Sequence, residues 1–135
     1  MAYAQWVLMI IQNKIGSGQL TVKNLKIEWG KFHQPGNKDA EISVNDAQSQ
    51  VATPSKDAQI ASCGRSDASS GTEGSYDIYD GDTKVCHIYW SCPWGSKTNT
   101  FTVSDIDNAY VVQATGATLD SGALGNVTIK IVKMG

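Results

Sequence analysis

Polar and apolar residues alternate with a period of two along most of this chain. The run Val127-Thr128-Ile129-Lys130-Ile131 does so cleanly, as a half-buried strand requires. Leu25, Ile27 and Trp29 share one parity, and Lys26 and Glu28 the other. Just upstream Leu20 and Val22 hold the opposite parity, so a bulge or turn is expected near Lys23-Asn24. Further strands are expected over residues 4–12, 42–44, 58–63, 75–79, 84–90, 98–103 and 110–114. Asp80-Gly81-Asp82 reads as a hairpin loop and Pro35-Gly36 as the centre of a type II turn. Residues 66–74, rich in Ser and Gly, read as a loop long enough to carry function. No stretch sustains a 3.6-residue period, and the 13 glycines are scattered. Many short strands separated by turn signals indicate an antiparallel sandwich or barrel.

A length of 135 residues suits one domain with a proper core, and 41 % hydrophobic against 18 % charged residues makes the chain globular rather than disordered. The formal net charge of −2 argues against nucleic acid, whose phosphates need clustered Lys and Arg, and against general adsorption to anionic lipid. The longest apolar run, Val7-Leu8-Met9-Ile10-Ile11, falls far short of the roughly 20 residues of a spanning helix. No basic region precedes it and no small-residue cleavage pattern follows it, so no signal peptide is expected. The expectation is a soluble cytosolic product, released by a non-classical route and acting at the outer surface of target membranes.

Cys63, Cys86 and Cys92 cannot all pair within one chain, and without a secretory signal reduced thiols are the default. Their spacings fit no zinc motif, so neither metal nor cofactor is expected. His33 and His87 sit in no recognisable nucleophile motif, and His87 is expected to be a hydrogen-bonded structural residue. Asp77, Asp80 and Asp82 resemble a fragment of a calcium loop, but hairpin chemistry explains them better. Catalysis therefore finds little support.

The most informative stretch is Cys92-Pro93-Trp94-Gly95-Ser96-Lys97-Thr98-Asn99. Pro93 lacks a backbone donor and Gly95 tolerates positive φ, so the segment should be a rigid exposed bend. An indole at such a tip suits a membrane–water interface, and Lys97 beside it suits a phosphate. A buried tryptophan with a solvated lysine nearby is the alternative. Trp29-Gly30 repeats the design of Trp94-Gly95, and two such tips form one surface if the fold joins them; their rings would then cradle an ammonium group. Trp6 and Trp90 are expected in the core. Arg65 and Asp67, at the mouth of the Ser/Gly loop, form either a local turn pair or a device that orients a dipolar head group.

Several segments together resemble the aegerolysins, small β-sandwich proteins of fungi and some bacteria. They are Ala2-Tyr3-Ala4-Gln5-Trp6-Val7, Trp29-Gly30-Lys31, Lys38-Asp39-Ala40-Glu41, Cys63-Gly64-Arg65-Ser66-Asp67-Ala68, the Cys92–Asn99 run and Ser121-Gly122-Ala123-Leu124-Gly125. They run in family order over essentially the whole length. The resemblance implies a single antiparallel β-sandwich domain over residues 1–135. It implies recognition of membranes containing sphingolipid, either ceramide phosphoethanolamine or sphingomyelin with cholesterol. It further implies a docking role beside a pore-forming partner with a MACPF domain, an insecticidal binary toxin being one biological version. Lipid contacts map to Trp29 and Trp94, and the head-group lysine to Lys97. On this reading Arg65 assists Lys97 at the phosphate, and Asp67 accepts from a phosphoethanolamine ammonium. Two positions depart from the family pattern. Mushroom members carry a glutamate at Ser70 that influences how sphingomyelin is read with or without cholesterol, and Cys86 is an extra thiol. A carbohydrate-binding sandwich module and an enzyme acting on lipid head groups are the rival readings.

Overall fold

The computed structural model describes residues 5–65, 70–95 and 98–134. Alternation along the strands produces two sheets packed face to face. The elements are β1 (Trp6–Asn13), β2 (Leu20–Trp29), β3 (Lys31–Gln34), β4 (Asn37–Ile42), α1 (Val44–Gln48), β5 (Val51–Ala52) and β6 (Ala58–Cys63). They continue with β7 (Thr72–Asp80), β8 (Thr83–Cys92), β9 (Thr100–Ser104), β10 (Tyr110–Thr115) and β11 (Gly125–Lys133). One sheet has the order β10-β11-β1-β6-β3-β4, the other β5-β2-β7-β8-β9. The sandwich is antiparallel except at its centre, where β1 and β11 pair in parallel with Val7 opposite Gly125.

The inward faces form the core. Val7, Met9 and Ile11 of β1 and Val127, Ile129 and Ile131 of β11 meet Leu20, Val22, Tyr76, Ile78, Ile88 and Trp90 from the other sheet. Trp90 is fully buried, edge-on to Phe32 and tilted against Tyr76, with ring centroids 6.1 Å apart in both pairs. Its N–H is satisfied by a chain of hydroxyls. Trp90 Nε1 donates to Thr72 Oγ1 at 2.9 Å, Thr72 pairs with Ser62 Oγ at 2.5 Å, and Ser62 Oγ donates to the Lys31 carbonyl at 2.8 Å. That chain ties the two sheets together directly beneath the end of the sandwich that carries both tryptophan tips.

Some expectations need correction. The strand expected over 42–44 stops at Ile42, because Ser43 caps α1: its Oγ accepts from the Asp46 N–H at 3.1 Å, and Ala47 turns into the core. The loop expected over 66–74 ends early. Thr72 and Gly74 are buried members of β7, since the hydroxyl chain and the Trp90 ring above Gly74 recruit them into the sheet. Trp6 is only half-buried, with the Lys38 ammonium 4.6 Å above its ring. The hairpin reading of Asp77 gives way to a network: it accepts from Asn24 at 2.8 Å and His87 at 2.7 Å, with Lys84 3.6 Å away. The hairpin expected at Asp80-Gly81-Asp82 does form, joining β7 to β8, and Asp80 also accepts from the Tyr110 hydroxyl at 2.6 Å, joining the two sheets. All three cysteines are free and buried, and desolvation raises each thiol pKa, that of Cys86 to about 12.

Candidate functional site

Two bulges in β2 aim Trp29. Each inserts one extra residue opposite β7, the first between Lys23 and Lys26, where Asn24 adopts φ 58°, and the second between Ile27 and Trp29. Ile27 faces Gly74 on the core side. The second bulge reverses the alternation, so Trp29 lies opposite Glu73 on the outer face. The row continues across the sheet, with Glu73 opposite Ser91 and Ser91 opposite Thr100. Trp94 follows β8 by two residues and closes over the same end. Trp29 and Trp94 are 62 % and 58 % exposed, so neither belongs to the core.

The two tips converge because two glycines permit it. A Cβ on Gly71 would sit on the Cys92 carbonyl and within 2.8 Å of Pro93 Cα and the Trp94 nitrogen. Gly30, at φ 90°, would place a Cβ 2.5 Å from the Cys63 carbonyl and 2.9 Å from that of Gly71. Segment 70–72 is thereby sandwiched between the Trp29 and Trp94 backbones. The result is a groove of about 280 Å³ lined by Trp29, Ser70, Gly71, Thr72, Glu73, Ser91, Pro93 and Trp94.

The Trp94 tip is firmly mounted at both ends. The Asn99 amide donates to the carbonyls of Thr118 at 2.9 Å, Asp120 at 2.7 Å and Gly122 at 3.1 Å, and its backbone N–H donates to Leu119. Cys92 Sγ reaches the Gly122 carbonyl at 3.2 Å. The segment around residues 118–122 is therefore a buttress that spans from the start of the bend to its finish.

Among the described lining residues the one formal charge is that of a carboxylate. Glu73 is the ionisable residue among the described lining residues, and Tyr89 donates its hydroxyl to Glu73 Oε2 at 2.5 Å. That hydrogen bond, burial and the Glu73 and Glu28 charges outweigh an opposing hydrogen bond with Ser91 and raise the Tyr89 pKa.

The residues anticipated from sequence fall in three places. Trp29, Trp94 and Ser70 all line the groove. Arg65 does not; its guanidinium makes a two-pronged pair with Glu41 at 3.0 and 3.1 Å, which holds the Glu41 carboxyl below its usual range. The Arg65 N–H lies 3.5 Å from Ser70 Oγ, so Arg65 is joined to the groove through its backbone. Asp67 and Lys97 lie outside the described residues. Glu73, Tyr89 and Ser91 were not anticipated. The clue was the Tyr89-Trp90-Ser91 alternation, which puts Tyr89 and Ser91 on the face opposite buried Trp90.

The chain matches the aegerolysin family model over residues 4–134. It is 50 % identical to ostreolysin A6 of Pleurotus ostreatus, covering 100 % of this chain and 99 % of that protein. It is 45 % identical to Asp-hemolysin of Aspergillus fumigatus, covering 96 % of this chain and 94 % of that one. Among solved structures, RahU in complex with a Tris molecule superposes with a TM-score of 0.93 at 36 % identity, covering 99 % of this chain and 98 % of RahU. From the tryptophan–glycine tips to the buttressed ends of the Cys92–Asn99 run, this chain belongs to the aegerolysin family.

Proposed function

We propose that this protein binds membrane lipid through the Trp29–Trp94 groove, docking on sphingolipid-containing bilayers as the recognition half of a two-part cytolytic system. One observation carries the reading: two largely exposed indoles, from the ends of separate strands of one sheet, line a single groove. Large apolar side chains held in water by a rigid scaffold cost stability unless something covers them, and indoles favour the bilayer interface. Family membership and the lytic names of the relatives support a membrane target. Ceramide phosphoethanolamine, or sphingomyelin with cholesterol, is the lipid class proposed, with Lys97 at the phosphate. Among the described residues no helix is long and apolar enough to cross a membrane, which fits a division of labour with a pore-forming MACPF partner. Single contacts of this kind contribute only about one to a few kcal/mol, so firm attachment requires several lipids or assembly.

Sedimentation with protein-free liposomes, with and without sphingolipid, tests the reading. Wild type is expected to pellet with the sphingolipid vesicles, and Trp94→Ala to stay in the supernatant. Retention on a glycan array without vesicle binding would favour a carbohydrate-binding module instead. Head-group release from the vesicles would point to an enzyme.

A further inference from the structure

Glu73 is the feature of the groove that phosphate recognition leaves unused. It stands in the cross-strand row between Trp29 and Ser91, on the outer face of its sheet. Tyr89, two residues before Ser91 on β8 and on the same face, occupies Oε2 and fixes the carboxylate's orientation. No hydrogen bond engages Oε1 among the described residues, and none of their Lys, Arg or His side chains lies within ion-pair distance of Glu73. The groove therefore presents an oriented carboxylate acceptor flanked by two indole-bearing walls. An anion would be repelled beside this carboxylate, so the phosphate belongs elsewhere in the groove. A cation that can donate is what the arrangement suits, because charge-assisted N–H···O⁻ bonds are short and roughly twice as strong as neutral ones.

We infer that Glu73 is a specificity residue that accepts a hydrogen bond from the primary ammonium of a phosphoethanolamine head group, and so favours that head group over phosphocholine. The inference rests on the lipid-binding reading above. A trimethylammonium has no N–H to give, and its methyl groups keep its charge away from the carboxylate. It keeps the aromatic faces, which serve both head groups alike, and only a longer-range attraction to the carboxylate without a hydrogen bond. The discriminating contact is thus the carboxylate. Tyr89 acts through it, as a positioning residue.

The test is vesicle binding with two sphingolipids that share one ceramide and differ only in phosphoethanolamine or phosphocholine, at constant sterol. The proteins are wild type, Glu73→Gln, Tyr89→Phe and Trp94→Ala, each checked for an unchanged unfolding midpoint. Glu73→Gln keeps the shape of the side chain and removes its charge. It is expected to lower the ratio of phosphoethanolamine to phosphocholine affinity by about tenfold, the scale of one hydrogen bond to a charged group. Phosphocholine binding should fall less than phosphoethanolamine binding, and Tyr89→Phe should lower the ratio less. A ratio unchanged by Glu73→Gln, or equal losses on both lipids, overturns the inference while leaving membrane docking intact. If wild type binds neither vesicle, or Trp94→Ala binds both as wild type does, the lipid-binding reading itself falls and the inference with it.

Discussion

Gly71 and Cys92 approach so closely that no side chain fits between them: a Cβ on Gly71 would coincide with the Cys92 carbonyl. This contact holds residues 70–72 against the root of the Trp94 tip, and the groove exists because of it. Gly71→Ala should force the two backbones apart, at a cost of about 1–3 kcal/mol typical of overpacking. The expected outcome is a lower urea midpoint together with weakened vesicle binding. Gly122→Ala is the useful contrast. Its Cβ would meet open space, so its cost comes from backbone strain at φ 94° alone.

Three of the four tryptophans should separate by stability. Trp90 is fully buried and hydrogen-bonded, so Trp90→Ala is expected to destabilise by about 3–5 kcal/mol. Trp29→Ala and Trp94→Ala remove side chains that are more than half exposed and should shift stability by less than about 0.5 kcal/mol. Thermal unfolding measures both. A collapse of the midpoint in Trp94→Ala would mean that the tip is structural.

Asp77 makes acid stability predictable in sign. Burial alone would raise its pKa, but hydrogen bonds from Asn24 and His87 and the Lys84 charge outweigh that, leaving it below the ordinary aspartate value. A carboxyl with a depressed folded-state pKa contributes stability that is fully present above the unfolded value of about 3.9 and is lost as pH falls through the folded value. Asp77→Asn should therefore be less stable than wild type near neutrality, with the gap closing below about pH 4. Urea titrations across that range provide the check, and a gap independent of pH would contradict the network.

The three thiols should be inert in the native state. Each is buried with its pKa raised, so the thiolate that reacts is scarce. Iodoacetamide at mildly alkaline pH is expected to leave the folded protein unmodified and to alkylate all three cysteines in denaturant, as read by intact mass.

Local patterning made much of this molecule legible. The strand at 58–63 matches β6, and the parity flip before Leu25 marks the first bulge of β2. The parallel pairing of β1 with β11 left no local trace, because it joins segments from opposite ends of the chain. Five residues of α1 are too few to show a helical period. At the site, the paired Trp-Gly tips were readable because each is a local design. Glu73 was hidden for two reasons: its neighbours Gly71 and Gly74 look like loop, and the second β2 bulge that sets Trp29 beside it carries no signature. Arg65 pairs with Glu41, 24 residues away. A long-range pair of that kind has no spacing rule to betray it.

The central claim is that the exposed indoles enter the bilayer interface, and fluorescence quenching by brominated lipids measures that contact. Vesicles should contain the sphingolipid that pellets wild type, with bromines placed near the head group. Emission of the bound protein should shift to the blue and be strongly quenched, and the quenchable fraction should vanish in Trp29→Phe/Trp94→Phe, which keeps only Trp6 and buried Trp90. Equal quenching in that double variant, or bound wild type with unshifted and unquenched emission, would contradict the account.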